Sequence, residues 1–286
     1  MRKISSENGS MAVYVSVVLL SMLLILLAIF LISNQLRKAQ IETVLGIKHS
    51  YEDDIEKADE IYANITGSTA NIDYVEDGLI LHYDAINNTG SGHSNNITTW
   101  KDLSGNSNDA IITGGIWENN SLRFTNANEL NGVKTINNFP IEFSSNTFNI
   151  VFKLSDTTDV DPILGERTTN TDGFMLFNYE RNNNISMDTK GSNTRISLGK
   201  RLSSNVNYNM TVTFSENIVN MYINGLLTST GKFTKANINF PLTVFTAGTR
   251  TNSLGNVYSV KIYNRCLSDS EILQNYNADT QRFNVN

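Results

Sequence analysis

Hydrophobic and polar residues alternate differently in successive parts of this chain, and the first part is almost entirely apolar. The run from Met11 to Ile32 has 22 residues, no charged side chain and only two serines. A bilayer core of about 30 Å needs about 20 helical residues, so this run predicts a transmembrane helix. A signal peptide would have a shorter apolar region and a small-residue cleavage site, which residues 33–38 do not offer.

The charges beside this apolar run bear on its orientation. Arg2 and Lys3 lie in a basic leader, residues 1–10, whereas Arg37 and Lys38 follow the run. Because the two sides carry nearly equal positive charge, the positive-inside rule does not decide the orientation. The large polar, asparagine-rich remainder is typical of an exported domain. We therefore expect a single-pass protein of the cell membrane whose C-terminal domain is extracellular.

Residues 33–64 have the pattern of an amphipathic helical stalk. Apolar or aromatic residues recur at helical spacing along one face: Ile41, Val44, Tyr51, Ile55, Ala58 and Tyr62. Such a face can pack against neighbouring subunits, against a partner helix or against the protein's own domain, and the pattern leaves these alternatives open. Residues 65–72 are small and polar, which predicts a linker.

One acidic motif within the stalk resembles an active-site motif. The run from Glu52 to Glu56 matches the E-x-D-x-E pattern of retaining β-glucanases. That chemistry requires carboxylates on one side of a strand, whereas helical residues two apart point about 200° away from each other. We interpret these side chains as solvated charges.

The pattern changes after residue 72 to short apolar or alternating runs separated by turn residues. Tyr208–Phe214 alternates strictly, which predicts a strand with one buried and one solvated face, and Asn224-Gly225 predicts a type I′ hairpin turn. Val257–Tyr263 reads as a strand, and the capping box from Ser268 to Glu271 begins a short helix that ends near Asn277. The predicted fold of residues 73–286 is a sandwich or jelly roll. The other predicted strands are Leu79–Tyr83, Leu122–Phe124, Phe148–Leu154, Phe174–Tyr179, Ile185–Asp188, Thr194–Leu198, Ile218–Ile223 and Leu226–Thr230.

Composition and motifs exclude several kinds of partner and reaction for this protein. The net charge of -6 and the sequence pI of about 5.1 argue against a nucleic-acid partner. The single cysteine, Cys266, rules out an intrachain disulfide and a four-cysteine zinc site. No nucleophile elbow, zinc motif, phosphate-binding loop or strand-borne carboxylate pair occurs, so we expect no enzymatic activity.

Four ordered motifs in residues 73–286 resemble the laminin-G-like domains of the concanavalin A-like lectin/glucanase superfamily. They are listed in chain order: the opening strand Gly78–Asp84, the loop Trp100–Asp109, the hairpin Val219–Leu227 with its MYINGLL sequence, and the closing segment Gly255–Ile272. The resemblance implies a two-sheet antiparallel jelly-roll sandwich. Together with the apolar and amphipathic runs before it, we expect a mainly β protein preceded by a long transmembrane and stalk helix. The resemblance also implies an extracellular module that binds sugars or proteins. Cys266 replaces the family's small alanine, so we expect it to be buried.

The N-terminal layout is similar to that of type IV pilin-like proteins. Their basic leader ends in glycine and precedes an uncharged helix, and here the leader would be Met1–Gly9, cut before Ser10. Pilins usually carry glutamate at the fifth mature position, where this chain has Tyr14. The resemblance therefore implies a minor pilin-like subunit, with pilus-like subunits as partners, or a plain membrane anchor.

A calcium site is the first candidate for chemistry in the domain. Ca²⁺ takes six to eight oxygen ligands, and five residues could supply them from one loop and the strand before it: Asp84, Asp102, Asn106, Asn108 and Asp109. The same residue types also build tight turns, which is the alternative interpretation.

A glycan site is the second candidate, because sugar sites pair an aromatic ring with amide and charged hydrogen-bonding groups. The candidate loop residues are Trp117, Tyr179, Arg181, Asn182 and Asn183. Trp117 could instead pack in the core. The sequence thus predicts a membrane-anchored module that binds an extracellular glycan or surface protein. The alternative is a structural pilin-like subunit whose jelly roll binds no sugar.

Overall fold

The computed structural model describes residues 14–27, 30–33, 35, 73–126, 131–157, 160–166, 173–179, 184–189, 194–232, 238–246 and 252–285. The chain divides into two compact units, Met1–Ala70 and Asn71–Asn286. The predicted leader, nearly all of the stalk and the predicted linker lie outside the described residues.

The first unit contains helix α1, Tyr14–Ser33, which has 20 residues and a mean hydropathy of 3.2. None of its apolar surface is buried against protein. Its length is close to the thickness of a bilayer core at about 1.5 Å per residue, so the helix is long and apolar enough to be a membrane span or a signal sequence.

The second unit is built on two antiparallel sheets of eight strands each. Sheet A contains β1 (Leu79–Asp84), β4 (Ile116–Glu118), β5 (Ser121–Phe124), β8 (Ser145–Leu154), β13 (Asn207–Ser215), β14 (Ile218–Ile223), β15 (Leu226–Lys232) and β18 (Gly255–Tyr263). Sheet B contains β2 (Thr99–Trp100), β3 (Ala110–Thr113), β6 (Gly132–Thr135), β9 (Asp161–Glu166), β10 (Phe174–Tyr179), β11 (Asn184–Thr189), β12 (Thr194–Arg201) and β17 (Thr243–Val244). A small ribbon pairs β7 (Phe139–Ile141) with β16 (Ile238–Phe240).

The strand order places the first and last strands of the second unit next to each other in sheet A. The order is β15-β14-β13-β8-β18-β5-β4, and β1 also pairs with β18. Sheet B has the order β12-β11-β10-β9-β17-β6-β3-β2. Antiparallel sheets in which half of the neighbouring strands are not consecutive in the chain form the jelly-roll sandwich that the sequence predicts, so the predicted fold class is confirmed.

Aromatic side chains from both sheets fill the space between them. Phe148 of β8 stacks on Phe174 of β10 with ring centroids 5.6 Å apart, and Phe143 meets both Phe174 and Phe214 edge-to-face. Such arrangements are the preferred geometries of aromatic pairs. They join sheet A to sheet B in a single core.

Helix α2 (Asp269–Phe283) covers the outer face of sheet A. The predicted capping box is present: the Ser268 hydroxyl accepts a hydrogen bond from the Glu271 backbone, and the Glu271 carboxylate accepts one from the Ser268 backbone. The predicted end of this helix near Asn277 is wrong. The helix continues to Phe283 because Ala278 and Phe283 are buried apolar positions that extend its packed face.

The predicted solvated face of the strand Tyr208–Phe214 is also wrong, because every residue of this segment is buried. The amide of Asn209 donates to a carboxylate oxygen of Asp279 in α2 over 2.8 Å. The polar residues of β13 therefore face a second layer of protein and not water. Cys266, expected to be buried, is partly exposed.

Candidate functional site

The Asp102 loop, residues 101–109, contains most of the predicted calcium ligands. Oδ1 of Asp102 accepts hydrogen bonds from the backbone N–H groups of His82 and Ser104, each over 2.9 Å. Oδ2 accepts from the Ser104 hydroxyl and the Asn108 backbone, also over 2.9 Å. The carboxylate is thus saturated by four donors and fastens the loop to β1.

The other predicted ligands are engaged in similar ways. Asp109 accepts from the Asp102 backbone over 2.9 Å and pairs with Lys101. Asp84 accepts from the Ile86 backbone over 2.7 Å and pairs with Arg282. The side-chain amides of Asn106 and Asn108 donate to the β1 carbonyls of Leu79 and Ile80.

These contacts are those of turn and anchoring residues. Within the described ranges, no group of three or more His, Cys, Asp or Glu residues is arranged to hold a metal ion. The geometry therefore favours the turn interpretation of the Asp102 loop, and calcium binding stays a prediction.

Trp117 is not the loop residue that the sequence predicts. It lies in β4 with 7% of its surface exposed, and it packs edge-to-face on Trp100 with ring centroids 5.0 Å apart. Its indole N–H donates to the Ile97 carbonyl over 3.0 Å. The geometry therefore favours the alternative that Trp117 packs in the core, and its role as a sugar platform stays a prediction.

Tyr179 ends β10 and is half-buried. Along this strand Phe174 and Leu176 belong to the core between the sheets, so Phe177 and Tyr179 lie on the opposite face of sheet B. The two rings meet edge-to-face at 6.0 Å. Arg181, Asn182 and Asn183 lie outside the described residues, so the structure does not place them relative to Tyr179.

A cavity that sequence reasoning missed lies beside the β7 ribbon. It has a volume of about 300 Å³ and is lined by Ile80, Pro140, Glu142, Asn146 and Asn264, which we call the Glu142 cavity. The side-chain amide of Asn146 donates to the backbone carbonyl of Glu142, and its own oxygen has no hydrogen-bond partner. The cavity thus combines an apolar wall with a carboxylate and two amides.

No local motif joins these five residues, which come from four separate segments of the chain. One signal was available: residues 139–142 alternate between buried and exposed positions, so Pro140 and Glu142 share the outward face of β7 and its continuation. The sequence alone does not bring Asn264 next to that face.

A third polar cluster is buried between sheet A and α2. The ammonium of Lys261 lies 2.8 Å and 3.0 Å from the two carboxylate oxygens of Asp279 and 2.9 Å from the Ser259 hydroxyl. The Tyr74 hydroxyl donates to the same carboxylate over 2.8 Å, and the Lys261 ammonium lies 4.2 Å from the Tyr74 ring centroid. These contacts tie the start of the domain to its C-terminal helix.

The electrostatics of this buried cluster are dominated by desolvation. Burial lowers the pKa of Lys261 and raises the pKa of Asp279, since both charged forms lose contact with water. Burial, with smaller contributions from the positive charges of Lys261 and Arg282, lowers the pKa of His82 to about 3. His82 is therefore neutral at physiological pH.

The two packed antiparallel sheets place this domain among the jelly-roll sandwiches, a fold class that includes both catalytic and non-catalytic domains. The family model described as the concanavalin A-like lectin/glucanases superfamily matches residues 126–273. This chain belongs to that superfamily. No curated protein matches its sequence.

Three solved structures illustrate the likeness. The first is domain 4 of AbnA, a GH43 extracellular arabinanase from Geobacillus stearothermophilus, which was solved with arabinotriose. It matches with a TM-score of 0.55 and 15% sequence identity, and the match covers 71% of this chain and 100% of that chain. The binding domain of Paraclostridial Mosquitocidal Protein 1 has a TM-score of 0.52 at 20% identity, covering 71% of this chain and 52% of that chain. Trypanosoma rangeli sialidase has a TM-score of 0.52 at 16% identity, covering 73% of this chain. The match spans 33% of the sialidase, and at these identities it shows the fold alone.

Proposed function

We propose that this protein is a membrane-tethered module that binds an extracellular glycan in the Glu142 cavity. Its volume of about 300 Å³ lies at the lower end of the range of roughly 300–1,000 Å³ that small-molecule sites occupy. Ile80 and Pro140 offer an apolar wall for the C–H face of a sugar ring. The exposed Glu142 carboxylate and the Asn264 amide offer acceptors and donors for hydroxyl groups, and the buried Asn146 amide holds the Glu142 backbone in place.

The cavity supports binding and not cleavage. Glycoside hydrolysis by the usual mechanism needs two carboxyl groups about 5 Å apart, or about 6.5–9.5 Å apart in inverting enzymes. Glu142 is the one carboxylate among the lining residues. The mechanism is shallow non-covalent recognition, which many copies on one surface strengthen through avidity.

Two further observations support a glycan as the ligand and a membrane tether for the domain. A structural neighbour of this domain was solved with arabinotriose, and another is the binding domain of Paraclostridial Mosquitocidal Protein 1. Helix α1 has 20 residues, a mean hydropathy of 3.2 and no buried surface, which suits a retained span that holds the second unit outside the membrane.

A glycan array with the full chain in detergent micelles tests this function. We expect binding to a restricted set of glycans by the wild type, and a clearly weaker signal for the same glycans in Glu142→Gln. Glu118→Gln is the matched control, since Glu118 is a carboxylate in β4 outside the cavity. An array without signal would contradict glycan binding and favour the structural pilin-like alternative. Equal loss in both variants would place the site elsewhere.

A further inference from the structure

Lys261 and Asp279 form an ion pair that is completely removed from solvent. Neither side chain has any exposed surface, and the ammonium lies 2.8 Å from one carboxylate oxygen and 3.0 Å from the other. The carboxyl carbon between these two oxygens is therefore in contact with the Lys261 nitrogen. Burying two charges in this way carries a desolvation penalty of several kcal/mol for each ion.

The neighbouring side chains hold the two groups in one relative position. The Tyr74 hydroxyl donates to one oxygen of Asp279 and the Asn209 amide donates to the other, each over 2.8 Å. The Ser259 hydroxyl accepts the remaining hydrogen bond of the Lys261 ammonium over 2.9 Å. A nucleophile and an electrophile fixed at contact distance react as an intramolecular pair, and their reaction is much faster than that of the same groups free in solution.

The surroundings also favour the forms that can react. Burial lowers the pKa of Lys261 and raises the pKa of Asp279, and these effects outweigh the opposing influence that each group has on the other. Asp84 also opposes the pKa shift in Lys261, whereas Arg282 adds to it. The Tyr74 hydrogen bond opposes the pKa shift in Asp279. One proton passed from the ammonium to the carboxylate gives a neutral amine and a neutral acid. A neutral pair is less costly to bury than an ion pair.

We propose that the side chains of Lys261 and Asp279 condense to an intramolecular isopeptide bond between β18 and α2. The lone pair of the Lys261 nitrogen attacks the carboxyl carbon of Asp279, and a tetrahedral intermediate forms. The Tyr74 and Asn209 donors stabilise the charge that develops on its oxygens. The nitrogen then gives a proton to the departing hydroxyl, the C–O bond breaks, and one water molecule leaves. Ammonium and carboxylate thus become one amide and one water, with no oxidant, reductant or other co-reactant.

The bond would replace a buried ion pair with a neutral amide and close a loop between positions 18 residues apart. Such a cross-link restricts the unfolded chain and fastens α2 over the outer face of sheet A. It does not depend on glycan binding, because none of its residues lines the Glu142 cavity.

The intact mass of the denatured full-length wild type tests this proposal. We expect a mass lower by one water molecule than that calculated from the sequence, measured against a Lys261→Arg chain prepared in the same way. Arginine keeps the positive charge but its guanidinium is a poor nucleophile. An Asp279→Asn chain that condenses loses ammonia instead of water, so its mass would equal that of the condensed wild type.

Tryptic digestion of the wild type locates the bond without any variant, and so applies even where a variant fails to fold. Trypsin does not cleave after an acylated lysine, so residues 251–265 would be joined to residues 266–282 in one branched peptide. Any population that contains this peptide supports the proposal. Linear peptides alone, with the unmodified mass, would overturn it, as would a loss of water without the branched peptide.

Discussion

The Asp102 loop and the Glu142 cavity carry the same kinds of polar side chain but use them differently. In the loop, both oxygens of Asp102 accept two hydrogen bonds each, and Asp109 and Asp84 pair with backbone N–H groups and with cations. In the cavity, the Glu142 side chain is exposed and lines open space, whereas the Asn146 side-chain oxygen is buried without a hydrogen-bond partner.

The difference shows how a structural polar cluster can be told from a binding site. A carboxylate whose acceptor positions are filled by the fold contributes to stability, and removing it leaves backbone donors unsatisfied. An exposed carboxylate at a cavity wall, such as that of Glu142, is available to a ligand. Residue type alone left both interpretations of the Asp102 loop open, because the same acidic and amide side chains suit a calcium site and a tight turn.

The strongest test removes the Asp102 carboxylate. We expect Asp102→Ala to lower the free energy of unfolding by about 4 kcal/mol, because several partly buried N–H groups lose their acceptor at once. Urea unfolding followed by circular dichroism measures the change. Asn106→Ala in the same loop is the control and should cost less than about 1 kcal/mol, since its amide is exposed.

The same samples test calcium. If the loop is saturated by the fold, melting of the wild type with calcium and with a chelator should coincide. A small effect of Asp102→Ala combined with calcium-dependent melting would instead make the loop a metal site, as the sequence predicts.

Acid should weaken the buried region beneath the Asp102 loop. The pKa of His82 is about 3 in the folded protein against 6.5 for the free side chain, so below pH 6.5 the unfolded state binds a proton that the folded state does not. Stability therefore falls as the pH drops from 6.5 towards 3. Between pH 6.5 and pH 4 the expected loss is about 3 kcal/mol, at about 1.4 kcal/mol for each pH unit.

His82→Leu isolates this contribution, because leucine fills similar space and does not titrate. Its stability should depend less steeply on pH than that of the wild type, as measured by urea unfolding at pH 7, 5.5 and 4. At pH 7 the variant should remain folded, since the Nε2 atom of the wild-type ring has no hydrogen-bond partner to lose. Parallel pH profiles for the two proteins would contradict the assignment to His82.

The local part of this fold could be predicted from the sequence. The strands Phe174–Tyr179 and Ile218–Ile223 have the bounds that the alternation predicts. Asn224 and Gly225 adopt the positive φ values of 52° and 76° that the hairpin turn requires. Each of these features depends on neighbouring residues, so a short window of sequence contains the information.

The features that were missed depend on contacts between distant segments. The polar face of Tyr208–Phe214 reads as solvated until α2 is placed over it, because Asn209 finds its partner Asp279 70 residues away. Glu142 and Asn264 meet in one cavity through the pairing of β8 with β18, which no local pattern encodes. The candidate site is therefore a product of topology.

A smaller effect is expected at the cavity itself. Glu142→Gln should weaken the affinity for a glycan identified on the array by about tenfold, the effect of replacing one charged acceptor by a neutral one. Calorimetric titration measures the change, and the free energy of unfolding should stay within about 0.5 kcal/mol of the wild type because the side chain is exposed. A variant that binds as well as the wild type would move the site away from the cavity.

The smallest effect distinguishes the cavity from the site that the sequence predicts at the end of β10. Glycan binding in the Glu142 cavity does not involve Tyr179, which lies on the other sheet, so Tyr179→Ala should leave the affinity within about twofold of the wild type. The same titration measures this, with thermal melting to confirm that the variant is folded. A folded Tyr179→Ala chain that loses most of its affinity, beside a Glu142→Gln chain that keeps it, would assign binding to the outer face of sheet B. The saturated loop and the open cavity would then differ in hydrogen bonding but not in function.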